Sequence, residues 1–110
     1  MRVLLDACVP KNLRRSLPGH EVQTAPEMGW GDLDNGDLLN AMEGLFDALV
    51  TVDKRLPKQQ QLKGRSLGVV VLRARSNRLA DLLPLVPALL EALGALQAGG
   101  IKEVGAARGP

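Results

Sequence analysis

The sequence predicts a small three-layer α/β/α sandwich built on a parallel four-stranded sheet. Three observations favour this α/β class: short continuous apolar segments, helical segments that alternate with them, and Gly- and Pro-rich turns in between. Continuous apolar segments are typical of strands that helices cover on both faces, whereas half-exposed strands alternate apolar and polar residues. The connections of such a sheet are expected to be right-handed crossovers.

Four segments have the composition of strands and three that of helices. The predicted strands are residues 2–5 (RVLL), 21–24 (EVQT), 47–52 (DALVTV) and 67–72 (LGVVVL). The predicted helices are residues 11–17 after Pro10, residues 36–46 capped by Asn35, and a region ending near residue 96 that Ser76 or Asn77 caps.

The chain of 110 residues is long enough for one domain, with an aliphatic core because it contains one Phe, one Trp and no Tyr. We assign residues 1–96 to this domain and residues 97–110, which are rich in Gly and Ala, to a C-terminal tail. The single Cys8 excludes an internal disulfide and fits a reducing compartment.

We expect a cytoplasmic protein that does not enter a membrane. No signal peptide is evident, because a short apolar strand at the start is followed at once by Asp6. The longest apolar stretch, residues 79–96, is interrupted by Asp81, Pro84, Pro87 and Glu91 and is a poor membrane span.

Acidic and basic residues are segregated along the chain. Seven acids and no Lys or Arg lie from Glu21 to Asp47. No acid lies between Asp53 and Asp81, and that interval holds eight of the fourteen basic residues: Lys54, Arg55, Lys58, Lys63, Arg65, Arg73, Arg75 and Arg78. Such a segment favours an anionic partner such as nucleic acid, although ordinary solvated surface can have the same composition.

Two acids follow apolar strands directly, Asp6 after the first predicted strand and Asp53 after the third. Ligands of parallel α/β sheets bind at the carboxyl ends of the strands, so the two carboxylates would face each other if these strands are neighbours. Their repulsion favours a shared cation, and Mg²⁺ and Mn²⁺ prefer carboxylate oxygens. Asp37, in the first turn of the second helix, is the candidate third ligand, with Asp34 as its competitor; the helix dipole alone also favours an acid there.

The segments RVLLDACVPKNLRRSLPGHEV, DNGDLLNAM, FDALVTVDKRLP and GVVVLR resemble the small PIN-like proteins of the DUF5615 kind, relatives of the PIN-domain toxins of toxin–antitoxin modules. The resemblance extends from residue 2 to about residue 95. It implies a reduced PIN fold, Mg²⁺ or Mn²⁺ bound by acids at the strand ends, and ribonuclease activity that leaves a 5′-phosphate and a 3′-hydroxyl. By position, Asp6, Asp37 and Asp53 match the metal-binding and catalytic acids.

The chain departs from the family pattern at three places. Ala7 and Cys8 stand where members often have a second acid, and Lys54, Arg55 and Leu56 replace an acidic and aromatic stretch. A fourth acid has no candidate between Asp53 and Asp81. Three carboxylates suit one metal ion better than two.

The resemblance and the charge pattern together predict RNA as substrate. Thr51 and Asn12 are candidates to support the acids through hydrogen bonds. Candidate RNA-binding residues are Arg14, Arg15, Lys54, Arg55, Lys58, Lys63, Arg65 and Trp30. Trp30 could stack on a base, anchor a partner protein or fold back onto the core. A cognate antitoxin protein and a second copy of the chain are the partners expected of a toxin of this kind.

Two alternatives compete with the ribonuclease. The first is a catalytically degenerate module that binds RNA or a protein, which Ala7 favours. The second is a receiver domain with Asp53 as phosphoacceptor, because Pro57 follows it by four residues. A receiver needs two further strands that end in a hydroxyl residue and a lysine, and the sequence predicts only one strand after Asp53.

Overall fold

The strands form one parallel sheet in the computed structural model, which describes residues 1–55 and 59–105. The strands are β1 (Arg2–Leu5), β2 (Glu21–Thr24), β3 (Ala48–Thr51), β4 (Gly68–Leu72) and β5 (Ile101–Val104). Their spatial order is β2-β1-β3-β4-β5, and every neighbouring pair is parallel. The chain therefore reverses its direction of travel across the sheet between β1 and β3, which creates a crevice at their carboxyl ends.

Helices occupy both sides of this sheet. They are a 3₁₀ helix at Lys11–Ser16, α1 (Asn35–Met42), α2 (Gln59–Leu62), α3 (Leu79–Leu82), a 3₁₀ turn at Leu83–Leu85 and α4 (Val86–Ala95). None of the helices in the described ranges is long and apolar enough to cross a bilayer.

The core consists of two clusters of buried side chains, one on each face of the sheet. Alternation along β1 sends Val3 and Leu5 to the first cluster and Leu4 to the second. The first cluster is completed by the 3₁₀ helix and by Leu82, Leu89 and Leu93 of α3 and α4, and the second by residues of α1 and by Leu62 of α2. The predicted three-layer α/β/α sandwich with a parallel sheet is thus confirmed.

The described residues contain five strands rather than the predicted four. The additional strand β5 lies within residues 97–110, which the sequence analysis assigned to the tail. Within the described part of the chain it pairs with β4 alone, from Val69 opposite Ile101 to Leu72 opposite Val104. Because β5 is an edge strand with Lys102 and Glu103 exposed, it lacks the continuous apolar run that reveals a central strand.

The predicted helix boundaries need three corrections. The first helix is 3₁₀ rather than α, which fits its short span between Pro10 and Pro18. The second is capped by Asp34, not Asn35, and ends at Met42 because Gly44 adopts a left-handed conformation with φ 82°. The last region begins at position 79 and is divided into α3, the 3₁₀ turn and α4, and neither Ser76 nor Asn77 occupies its N-cap position.

Substitution of Gly68 by Ala is expected to destabilise the protein by about 1–3 kcal/mol through overpacking. A Cβ at this position in β4 would lie 2.7 Å from Leu96 Cγ and 2.8 Å from the carbonyl oxygen of Gln97, in the connection that leads to β5. The free energy of unfolding from chemical denaturation measures this effect.

The matched control is Gly94→Ala in α4, where a Cβ meets no atom within 4 Å. This substitution should stabilise the protein by about 0.5–1 kcal/mol, because Ala has the higher helix propensity. If Gly68→Ala were as stable as the wild type, the placement of residues 96–97 against β4 would be wrong.

Candidate active site at the carboxyl edge of the sheet

The carboxyl ends of β1 and β3 bring Asp6 and Asp53 to the same edge of the sheet. Leu5 is opposite Val50 in the register of the two strands, and the amide of Asp6 donates to the carbonyl oxygen of Val50 at 2.9 Å. Asp6 therefore extends the strand ladder, and Asp53 lies two residues beyond the end of β3. This edge lies at the reversal of strand order, where parallel α/β sheets bind their ligands.

One buried hydroxyl connects the two acids. Thr51 Oγ1 donates to Asp6 Oδ2 at 2.7 Å and accepts from the backbone N–H of Asp53 at 3.0 Å. The side chain of Thr51 is 0% exposed, so both hydrogen bonds lie away from bulk water. The hydroxyl has one proton to donate and two lone pairs to accept with, which suits this double role. The hydrogen bond expected between Thr51 and an acid is therefore present.

Asp6 is held at both carboxylate oxygens. Its Oδ1 accepts from the backbone N–H of Ala7 at 2.8 Å, while Oδ2 accepts from Thr51. The Cys8 thiol lies 3.7 Å from Asp6 Oδ2 and from Thr51 Oγ1. Burial raises the pKa of the Cys8 thiol, and the negative charge of Asp6 raises this pKa further. The thiol therefore stays protonated at neutral pH, which argues against a role as nucleophile.

Asp53 has a cationic partner on its own loop. The Arg55 backbone N–H and Nε donate to Asp53 Oδ1 at 2.9 and 3.2 Å, and Arg55 Nη2 donates to Oδ2 at 3.4 Å. These side-chain and backbone hydrogen bonds hold the pKa of Asp53 below its usual range. The Arg55 side chain is 89% exposed, whereas that of Asp53 is 23% exposed. Asp53 is thus ionised and already faces one positive charge.

Asp37 lies in the first turn of α1, where its backbone N–H donates to the side chain of the N-cap residue Asp34 at 2.8 Å. Because α1 is part of a crossover between parallel strands, its N-terminus lies toward the carboxyl edge. Asp37 is exposed, and it belongs to the face that carries the second core cluster. In residues 1–55 and 59–105, no set of three Asp, Glu, His or Cys side chains is arranged to hold a metal ion. The Asp6–Asp37–Asp53 site stays a prediction.

The donor set formed by Asp6 and Asp53 nevertheless fits a hard divalent cation. Mg²⁺ is typically bound through one or two carboxylates together with several waters, and Mn²⁺ favours the same oxygen ligands. An ionised carboxylate oxygen can accept two hydrogen bonds, so Asp6 Oδ1 retains an acceptor site beside its bond to Ala7. Two carboxylates on adjacent strands are enough for such an ion if water completes its coordination.

The predicted RNA-binding residues divide between the two edges of the sheet. Arg65 precedes β4, and its guanidinium contacts Asn40 at 2.9 Å and Glu43 at 3.7 Å near the C-terminus of α1. Lys63 and Arg65 therefore lie toward the amino edge, away from Asp6 and Asp53, because α2 leads the chain to the start of β4. Their predicted contact with RNA at the carboxyl edge is not supported by this placement.

The remaining predicted RNA-binding cations differ in whether an acid of the protein already pairs with them. Arg14 pairs with Glu27 at 2.6 Å and also donates to the carbonyl oxygen of Val22. Arg15 and Lys54 are exposed, and Lys54 directly follows Asp53. Lys58 lies outside the described residues. Lys54 and Arg55 are therefore the predicted cations that the structure places beside the acids.

Three residues of the loop after β4 were not among the predicted site residues, although the basic segment included Arg75 and Arg78. Asn77 Nδ2 donates to the carbonyl oxygen of Cys8 at 3.0 Å and ties this loop to the loop after β1. Arg75 and Arg78 flank Asn77 and are exposed. Their position after a strand of the parallel sheet is a sequence feature that predicts a place at the carboxyl edge.

Trp30 and Asn12 do not reach the acids. Trp30 is partly buried against the second core cluster and meets Phe46 edge-on, with ring centroids 5.9 Å apart and planes at 77°. Of the three interpretations of Trp30, the structure shows the one in which the indole folds back onto the core. Asn12 is exposed on the 3₁₀ helix, and no hydrogen bond joins its side chain to Asp6 or Asp53 within the described ranges.

A groove of about 500 Å³ opens on the β2 side of Asp6. It is lined by Ala7, Val9, Pro10, Lys11, Thr24, Pro26 and Glu27. Ala7, at the position where the resembling family often has an acid, therefore contributes a methyl group to this groove. Glu27 also lines the groove, and its carboxylate accepts from Arg14 and from the backbone N–H of Thr24.

The structure has the two strands after Asp53 that a receiver domain needs, but not the hydroxyl residue and the lysine at their ends. The prediction of a single strand after Asp53 is wrong, because both β4 and β5 follow it. However, Arg73 rather than a hydroxyl residue follows β4, and Gly105 rather than a lysine follows β5. Lys102 lies inside β5 opposite Val70, away from the carboxyl edge. The groups that would complete a phosphoacceptor site are therefore not at the strand ends.

Comparisons of the chain with protein-family models, with curated proteins and with solved structures find no match. The observations that bear on function are the paired acids on β1 and β3, the Thr51 hydroxyl between them, and the cations on the loops after β3 and β4.

Replacing Thr51 by Val should destabilise the protein by about 1–3 kcal/mol, because it leaves Asp6 Oδ2 and the Asp53 N–H without their buried partner. Thr51→Ser retains the hydroxyl and is the matched control. It should lose less stability than Thr51→Val. The free energies of unfolding of both variants, measured by denaturant titration, give the comparison. Equal stability of Thr51→Val and wild type would contradict the bridging role.

Replacing Arg55 by Gln should raise the pKa of Asp53 toward its ordinary value, because the guanidinium that favours the carboxylate is removed. A group with a depressed folded pKa stabilises the fold above its unfolded pKa, and this stabilisation is lost as pH falls through the folded value. The wild type and Arg55→Gln should therefore converge in stability in strong acid. Carboxyl ¹³C titration by NMR measures the pKa directly.

The internal control for this titration is Asp47, whose pKa is lowered by the backbone N–H and guanidinium of Arg2. Its titration should be the same in both proteins. An unchanged Asp53 titration in Arg55→Gln would show that the contact is not maintained in solution.

Proposed function

We propose that this chain is a metal-dependent ribonuclease of the PIN-like kind, with Asp6 and Asp53 at its centre. The observation that carries the proposal is the buried Thr51 hydroxyl, which hydrogen-bonds Asp6 Oδ2 and the Asp53 backbone at the reversal of strand order. This hydroxyl ties the Asp6 carboxylate to the Asp53 backbone, and a divalent cation there would offset the negative charge that the carboxylates of Asp6 and Asp53 bring to the same edge.

Each residue near the acids has a role in this proposal. Asp6 and Asp53 would hold Mg²⁺ or Mn²⁺, and Asp37 at the N-terminus of α1 is the candidate third ligand. When bound, such an ion polarises a phosphoryl oxygen and lowers the pKa of a water molecule. Thr51 fixes the Asp6 carboxylate, while Lys54, Arg75 and Arg78 supply positive charge for the RNA backbone.

The biological setting that we propose is a cytoplasmic toxin–antitoxin module, with the chain as toxin. This setting rests on the sequence resemblance, which also suggests a cognate antitoxin protein and a homodimer. The exposed cations at the carboxyl edge favour an anionic partner there, and an acidic antitoxin segment would bind the same surface as RNA.

A catalytically degenerate RNA-binding module is the second candidate. The observation that favours it is the contact of Arg55 with both oxygens of Asp53, which supplies a positive charge from the protein itself. In that case RNA would bind in the absence of divalent metal and would not be cleaved.

The decisive experiment incubates purified protein with mixed single-stranded RNAs and Mn²⁺ or Mg²⁺. Asp6→Asn and Asp53→Asn should each lower the cleavage rate by a factor of about 10² or more. This is on the order of the loss caused by removing one essential electrostatic group from an active site. Asp32→Asn, a change at an exposed loop acid, is the matched control and should cleave like the wild type. Chelation of the metal should stop all cleavage.

Cleavage that survives in both Asp6→Asn and Asp53→Asn would place the activity elsewhere or in a contaminant. RNA binding without cleavage under every condition would instead establish the degenerate module. Induced expression of the same variants in a bacterial host, scored for growth arrest, tests the toxin setting separately from the chemistry.

A further inference from the structure

The two acids at the carboxyl edge are held by different kinds of partner. Asp6 accepts hydrogen bonds from neutral groups, the Thr51 hydroxyl and the Ala7 backbone N–H. Asp53 accepts from Arg55, whose guanidinium contacts Oδ1 at 3.2 Å and Oδ2 at 3.4 Å. The positive charge of the site is therefore concentrated on one of its two carboxylates.

We propose that Arg55 is a substrate-responsive counter-ion, which occupies Asp53 in the free protein and moves to an RNA phosphate when RNA binds. Its departure leaves Asp53 as an uncompensated carboxylate, and the affinity of the site for a divalent cation rises. RNA binding and metal binding are thereby coupled through one side chain. This inference rests on the proposed function and deepens it, because it assigns Arg55 to the control of metal binding.

The physical reason is competition for the same charge. A guanidinium on Asp53 cancels the attraction that a divalent cation would feel, and it adds repulsion between the two cations. It also occupies both carboxylate oxygens, which are the ligand atoms that Mg²⁺ or Mn²⁺ needs. No Lys or Arg side chain in residues 1–55 and 59–105 contacts Asp6, so Asp6 is the more accessible of the two carboxylates to a cation.

The contact is suited to exchange because it is exposed. The Arg55 side chain is 89% exposed, and ion pairs in contact with water are screened and contribute little. Its planar donors can form two parallel hydrogen bonds to a phosphate, as they do to a carboxylate. Exposed cations stand nearby on both loops, Lys54 beside Asp53 and Arg75 and Arg78 after β4, and they hold a phosphate backbone within reach.

Coupling of this kind is reciprocal. If RNA raises the affinity for the metal by some factor, the metal raises the affinity for RNA by the same factor. Because the coupling acts through one exposed ion pair, we expect this factor to be at most about 5-fold. Removal of Arg55 should uncouple the two events, because Asp53 is then available with or without phosphate.

The test measures Mn²⁺ binding by the loss of the free-ion electron paramagnetic resonance signal. The proteins are the wild type, Arg55→Gln, Arg55→Lys and the charge control Arg75→Gln, which removes an exposed arginine from the same edge. Without nucleic acid, Arg55→Gln should bind Mn²⁺ up to about 5-fold more tightly than the wild type, which is the limit set by the strength of an exposed ion pair. Arg75→Gln should differ from the wild type less, and Arg55→Lys should lie between the wild type and Arg55→Gln, because Lys keeps the charge but cannot contact both carboxylate oxygens in the same way.

A second arm adds a single-stranded DNA ten-mer, which presents phosphates without being the proposed substrate. It should raise the Mn²⁺ affinity of the wild type and leave that of Arg55→Gln unchanged, after subtraction of the Mn²⁺ bound by the DNA alone. Without DNA, equal Mn²⁺ affinity in the wild type and Arg55→Gln overturns the inference. An equal increase in Mn²⁺ affinity in Arg55→Gln and Arg75→Gln, relative to the wild type, also overturns it.

These outcomes separate the inference from the proposed function. RNA cleavage that depends on Asp6 and Asp53, combined with Mn²⁺ binding insensitive to Arg55→Gln, removes only the role of Arg55. Absence of Mn²⁺ binding in every protein, with and without DNA, overturns both proposals. Circular dichroism of each variant confirms that it is folded, which the exposure of Arg55 and Arg75 leads us to expect.

Discussion

The hydrogen bonds of the Thr51 hydroxyl are the interaction on which the arrangement of the carboxyl edge depends. This buried group connects the ends of β1 and β3 through Asp6 Oδ2 and the Asp53 backbone. It lies where the sheet reverses its strand order, so two segments far apart in sequence meet at one place. A Val of the same shape would fit the apolar core, but it could not satisfy either polar partner. The Thr51 hydroxyl therefore ties the Asp6 carboxylate and the Asp53 backbone, two residues beyond β3, to the end of the sheet.

The central part of the fold could be predicted from the sequence because β1, β3 and β4 are apolar on both faces. Strand β5 could not, since an edge strand with Lys102 and Glu103 exposed has no continuous apolar signal. For the same reason, Asp6 and Asp53 could be placed by their position after apolar strands. The contacts of Arg55 and Asn77 depend on how loops fold against one another, and periodicity carries no information on that.

The sheet also reorganises the charge pattern of the sequence. Basic residues that form one block along the chain are distributed by α2 and β4 to opposite edges, with Arg65 beside Glu43 and Arg75 beside the acids' edge. Several are neutralised locally, as Arg73 is by Glu103 at 2.9 Å. Counting charges along the sequence therefore overestimates how many cations can bind one anionic ligand. The sheet topology identifies which cations lie at the same edge as Asp6 and Asp53.

We propose that Asp6 and Asp53 together bind a divalent cation. Paramagnetic broadening of backbone amide signals by substoichiometric Mn²⁺ tests this site most directly, because the broadening depends on distance from the ion. The amides of Ala7 and Asp53 should broaden first and together, and this joint broadening should disappear in Asp6→Asn. Broadening centred on other acids such as Glu21 or Asp81, or no localised broadening in either the wild type or Arg55→Gln, would contradict the proposed site.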